Sequence, residues 1–148
     1  MIGMDGIELN SPSVQSYLTN LQAVINRIAS NSAACKTWCV GLVSAVIIVI
    51  ASTKRPCYIG VSIIPIGLLS LLDSYYLGLE KEFRALYNEF IAKLHSGAAT
   101  AQDVFVIEPG PGGCKRLSST IKAFGSVSIW PFYGLLVLML IAMWSWVL

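Results

Sequence analysis

Histidine and charge are scarce in this chain. His95 is the single histidine, and ten basic and eight acidic side chains leave a formal net charge of +2. One histidine cannot build a histidine metal site or an acid–base relay, and at the end of an apolar-faced helix it reads as a cation complementing the helix dipole. So small a net charge gives no basis for nucleic-acid binding. The four cysteines, Cys35, Cys39, Cys57 and Cys114, match no zinc spacing. Cys35 and Cys39, one turn apart on a helix, are poorly placed to bond to each other and read as buried thiols. With no catalytic constellation an enzyme is not expected, nor is a cofactor. The opening MIGMDGIELNSPS has acids and no apolar run, so no cleavable signal peptide is expected.

Apolar residues fill the space that charge leaves. They make up 55% of the chain, and the mean hydropathy is +0.70, far from a soluble domain. Val127 to Leu148 contains no charged residue, and at helical rise it would extend about 33 Å, enough to cross the hydrocarbon of a bilayer. Two further apolar runs, 38–53 and 57–77, are separated only by Lys54, Arg55 and Pro56. So short a link makes them an antiparallel hairpin. Pro65 sits at the centre of the second run and Asp73 near its end. Trp38, Tyr58, Tyr75, Tyr76, Trp130, Trp144 and Trp146 fall near the expected interfaces. Lys54 and Arg55 are alone at the hairpin tip, while the other eight basic residues lie on the opposite side. The excess of basic residues places the N-terminus in the cytoplasm and the C-terminus outside, as expected of a multi-pass membrane protein.

Both hairpin arms extend beyond their spans. Val14, Leu18, Leu21, Ile25 and Ile28 form an apolar seam, opened by Ser11 as N-cap and Pro12 as the first helical residue. After the second span, Leu79, Phe83, Leu86, Phe90, Ile91 and Leu94 form another, stopped at Gly97. The expected organisation is a tail (1–12), an amphipathic helix (13–37) continuous with span one (38–53), span two (57–77), a second amphipathic helix (78–96), a small cytoplasmic segment (97–126) and span three (127–148). Within 97–126, Thr100 with Asp103 predicts a capped turn, VFVIE a short strand, PGPGG a loop and KRLSSTIKAF an amphipathic helix. The expected fold is an all-α membrane protein with three transmembrane helices and a long cytoplasmic hairpin, homo-oligomeric through its coiled-coil-like seams.

If the turn is centred near Arg55, residues whose numbers sum to about 109 share a depth on the two arms. Lys36 then matches Asp73, and Arg27 matches Glu82, opposite charges at equal depth near lipid. These pairs read as clasps between arms. The competing reading puts Asp73 at the mouth of a cation path. Ser44, Ser62 and Ser70, with the glycines of the spans, suit close helix packing or a water-lined face. One hairpin and one helix cannot enclose a path, so a pore needs several copies. PGPGGCKR, followed by Ser118 and Ser119, lacks P-loop spacing. Lys115 and Arg116 suit either a bound phosphate or anionic headgroups.

The stretches NSAACKTWCVGLVSA, LLDSYYLGLEKEFRALYNEF and KLHSGAATAQDVF, spanning Asn31 to Phe105, resemble small bacterial antiphage-defence membrane effectors, similar in outline to SLATT-type proteins and the membrane effector of Hailong-type systems. The resemblance implies an oligomeric ion channel, a tetramer in the simplest case. A nucleotide or oligonucleotide made by a partner nucleotidyltransferase would control it, and its opening would depolarise the cell. On that footing Arg84, Lys115, Arg116 and Lys122 are candidates for an anionic ligand site between subunits. Ser44, Ser62, Pro65, Ser70 and Asp73 are candidates for pore or gate. A holin-like lesion former and a non-conducting membrane anchor or scaffold for a partner protein remain alternatives.

Overall fold

A computed structural model describes residues 11–107, 120, 125, 126 and 128–147. Among them the chain is all-helical: α1 (Pro12–Thr53), a 3₁₀ turn (Pro56–Tyr58), α2 (Ile59–His95) and α3 (Trp130–Val147). Helices α1 and α2, of 42 and 37 residues, are long and apolar enough to cross a membrane.

Local chemistry sets the ends. The Ser11 side chain accepts the Val14 N–H, and Pro12 occupies the first turn, where its missing N–H costs no hydrogen bond. At the other end Lys54 takes a left-handed conformation (φ 52°), its N–H bonding to the Ile50 carbonyl, and reverses the chain. Helix α2 closes through Gly97 at φ 70°, with the Ala98 N–H on the Lys93 carbonyl and the Gly97 N–H on the Leu94 carbonyl. Those two bonds form a Schellman stop, which favours a residue without Cβ at the left-handed position.

The hairpin arms pair along most of their length. Besides Lys36 and Asp73, Gln22 donates to the Tyr87 hydroxyl at 3.1 Å, a pair with the same numerical sum, so the register is constant over four turns. Two apolar cores result. In one, Val14, Tyr17, Leu21, Ile25 and Ile28 pack against Phe83, Phe90, Leu94 and Ala99. Tyr17, rather than Leu18, is the fully buried residue of that turn, and Leu18 packs at the core's edge. The other core joins Cys39, Val43 and Ile50 to Ile59 and Ile66, and to Ile129, Tyr133 and Leu140 of α3. Tyr133 bonds near Leu69, while Trp144 lies beside Ile59, so α3 runs antiparallel to α2 along the apolar half of the hairpin. The large exposed apolar side chains fall within 38–75 and 130–144, apart from Phe105, Val106 and Ile107.

The segment after α2 is strapped to the hairpin end. Ala99 is buried in the first core, and Asp103 accepts from the Thr100 N–H (2.9 Å) and hydroxyl (2.7 Å) as the capped turn requires. The same carboxylate accepts from Lys93 at 3.1 Å, and Tyr17 donates to the Val106 carbonyl at 2.5 Å. Residues 104–107 are turn and irregular chain, which corrects the expected strand: Phe105 sits at φ 70°, stacked edge-on against Tyr17, and no neighbouring strand offers a ladder among the described residues. Glu108, the glycine loop and most of KRLSSTIKAF lie outside the described residues.

Hydrogen bonds from Thr100 and the Lys93 ammonium hold the Asp103 carboxyl down to about 2, from an ordinary 3.8. The bonds to Asp103 hold the Lys93 ammonium above its ordinary 10.5. The carboxylate's contribution is complete above 3.8 and disappears as pH falls toward about 2; the ammonium's is complete below 10.5 and disappears above it. The protection factors of the backbone amides at 99–107, each taken against the intrinsic exchange rate at the same pH, should therefore be high between those limits and fall in acid. Asp103→Asn should give the low acid protection factors at neutral pH while leaving α1 protected.

Candidate functional site

Between the two apolar cores lies one polar layer, built where α1, α2 and α3 meet. Asp73 is fully buried. Its Oδ1 accepts a short hydrogen bond from Ser32, and Oδ2 faces the Lys36 ammonium at 2.6 Å. Lys36 also donates to Ser32 Oγ at 3.3 Å, so one turn of α1 supplies both partners at i and i+4, the spacing that puts side chains on one helix face. Lys36 keeps about a quarter of its side chain exposed (24%), its stem lying along the helix and its head retaining some hydration. A buried carboxylate without such partners would cost several kcal/mol. Ser70 and Ser74, both buried, turn their hydroxyls onto the Gly67 (2.9 Å) and Ser70 (2.7 Å) carbonyls of their own helix. Tyr133 of α3 completes the layer, its hydroxyl donating to the Leu69 carbonyl at 3.3 Å.

The remaining candidates are dispersed. Ser62 is fully buried, and its hydroxyl has no hydrogen-bond partner. Pro65 is half-buried inside α2, where its ring removes the N–H that would bond to the Val61 carbonyl. Ser44 faces outward from α1. Arg27 is exposed on α1, and Glu82 is half-buried on α2. Arg84 is exposed, bonds to Glu80 one turn earlier at 2.8 Å, and borders a polar groove of about 440 Å³ with Gln22, Asn26, Tyr87 and Asn88. Lys115, Arg116, Lys122 and Cys114 lie outside the described residues. Cys35 and Cys39 are buried thiols, and Cys57 is exposed at the turn. No group of three or more candidate metal ligands occurs among the described residues.

Sequence reasoning reached Lys36 and Asp73 through their common depth, but passed over Ser32, Ser74 and Tyr133. Ser32 was detectable, being four residues before Lys36. Tyr133 was not, because nothing local distinguishes it from an aromatic residue at a bilayer interface. Chemically, the layer can hold a charge pair in an apolar surrounding and tie three helices together.

No protein-family model matches the chain, and neither a curated protein nor a solved structure shows significant similarity to it.

Removing one partner of the pair should be worse than removing both. Lys36→Met should lower stability by about 3 kcal/mol by stranding the carboxylate, and adding Asp73→Leu should recover most of it. Denaturation in mixed detergent micelles reads both values. In the same assay Ser62→Ala should be neutral or stabilising by up to about 1 kcal/mol, since it deletes a hydroxyl that has no partner.

Proposed function

We propose that the protein is a membrane protein of three crossings, cytoplasmic at its N-terminus, that assembles with copies of itself into a pore. One observation carries this reading. Ser30, Ala34, Thr37, Gly41, Ser44, Ile48 and Ala51 are all exposed and recur at alternating spacings of four and three along α1. They form a heptad stripe of mostly small and hydroxyl side chains facing away from the α2 contact. A Cβ added at Gly41 would meet nothing within 4 Å. In lipid, where apolar contact alone does not drive association, small residues allow helices to approach closely and hydroxyls bond across them. Copies arranged around such a stripe would line their common axis with Thr37 and Ser44.

Membrane placement has its own support. In the most apolar windows of α1 and α2 only 22% and 33% of residues are buried, whereas a core helix of a soluble protein is mostly buried. Helix α3 follows the same apolar band and is apolar throughout. The band ends at the level of Lys36 and Asp73, as a boundary between hydrocarbon and water requires.

In this reading Asp73 holds the protomer together, Ser62 and Ser70 are buried inside it, and Ser44 faces the pore. The resemblance to antiphage-defence effectors supplies the biological frame: a channel of bacterial antiviral defence that depolarises the infected cell when a nucleotide-type signal reaches it. The groove beside Arg84, between the projecting arms, would take that signal together with Lys115, Arg116 and Lys122. A ligand there would act only by binding one pore state more tightly than the other.

Purified protein in planar bilayers should give discrete, ion-selective currents. Ser44→Cys should become sensitive to a charged methanethiosulfonate reagent, and Gly41→Leu should abolish the currents by blocking close approach. Silence with and without nucleotide extracts would sink the pore reading and leave the scaffold. Large unselective lesions would favour the holin-like reading. If the groove takes an anionic signal, Arg84→Glu should weaken any nucleotide response tenfold or more while sparing basal current.

A further inference from the structure

Between Glu8 and Asp73 the sequence has no aspartate or glutamate, whereas Arg27, Lys36, Lys54 and Arg55 all fall within that stretch. It includes the whole of α1 and the turn that follows. Among the described residues the acids are Asp73, Glu80, Glu82 and Glu89 on α2 and Asp103 in the strap. The helix that presents the outward stripe therefore carries charge of one sign only.

The places of those charges along α1 separate them into two kinds. Lys36 is turned to α2 and neutralised by Asp73 at 2.6 Å. It stands two residues from Ala34, about 200° around the helix, so this pair lies on the side of α1 opposite the stripe. Asp73 has no exposed surface, and no carboxylate reaches the free face from there. Arg27 is exposed and precedes Ser30 by three residues, which continues the stripe's spacing at the end toward the arms. At the other end the stripe stops at Ala51, and the exposed Lys54 and Arg55 follow in the turn. At helical rise Arg27 and Lys54 are about 40 Å apart, the thickness of a bilayer with its headgroups. Between them the stripe is uncharged.

We propose that the assembled pore conducts small monovalent anions of the chloride class, with a ring of Arg27 at its cytoplasmic mouth and rings of Lys54 and Arg55 at its outer mouth. The proposal rests on the pore reading above and names the ion that passes. Rings of cationic side chains concentrate anions at a mouth and repel cations. Along the path, the hydroxyls of Thr37 and Ser44 can turn their protons toward an anion in transit. A path lined by α1 has no carboxylate to favour a cation instead.

The test uses the full chain in planar bilayers with a tenfold gradient of potassium chloride, and the readout is the reversal potential. It should lie on the chloride side of zero, with chloride at least fivefold more permeant than potassium. Arg27→Gln should lower that ratio at least twofold, as should Lys54→Gln combined with Arg55→Gln, and all three changes together should bring it close to one. These effects should shrink in 1 M salt, where the screening length is about 3 Å. Lys81→Gln removes an exposed cation from α2, away from the stripe, and should leave the ratio unchanged. A reversal potential at zero or on the potassium side overturns the anion assignment while the pore reading stands. Chloride selectivity that survives all three substitutions, or that Lys81→Gln removes equally, overturns the roles given to Arg27, Lys54 and Arg55. Absence of any current defeats the pore reading, and this inference with it.

Discussion

A carboxylate buried among apolar helices must be neutralised where it stands, and the rest of this structure is arranged around that requirement. Asp73 has no exposed surface, so α1 must present a donor and a cation to it within one turn. Ser32 and Lys36 can do so only if α1 and α2 lie side by side in one register. A slip of one residue would rotate Asp73 by about 100° and strand its charge. The apolar seams alone tolerate slips of three or four residues at smaller cost, because those return an apolar face to the contact. The ion pair does not, and in this chain its best-supported role is to select one alignment of two very long helices.

The layer also divides two kinds of packing. In the projecting arms, Tyr17, Phe83 and Phe90 are removed from water, and burial itself is the driving force. In the apolar band, under the proposed membrane placement, Val43, Ile50, Ile66 and Leu140 would leave a surrounding no less apolar than the one they enter, so fit and hydrogen bonds would decide the arrangement. That difference explains why the arms carry large alternating side chains, while the band is rich in glycine and serine. The proposed assembly would account for the outward stripe on α1 in the same terms: a face meant for water would be charged, and a face meant only for lipid need not be small.

The strap of residues 98–107 solves a different problem. Helix α1 begins and α2 ends at the tip of the arms, where a stop signal alone would leave Phe90 and Leu94 uncovered. Ala99, the Asp103 clasp and the Tyr17 hydroxyl bring the following chain back across that end. Glycine at 97 permits the reversal, and the carboxylate of Asp103 ties it down with three bonds.

The hairpin, the capped start of α1, the glycine stop of α2 and the depth match of Lys36 with Asp73 were legible in the sequence, because periodicity, caps and chain length act locally and rise per residue is constant. Azimuth was not legible. Whether Ser44 or Ser62 faces inward depends on how two helices rotate about their axes, and small residues at both positions carry no preference. The short strand expected at VFVIE failed for the same reason: β-branched residues favour extended chain only where a partner strand exists, and here a tyrosine from the opposite arm takes the backbone carbonyl instead. Composition and local pattern thus determined the class, the hairpin and the charge pairing of this protein. Only the tertiary structure decided which hydroxyls are buried, that Tyr133 bonds α3 to the Leu69 carbonyl of α2, and which face of α1 is left exposed, because those outcomes depend on contacts between residues far apart in the chain.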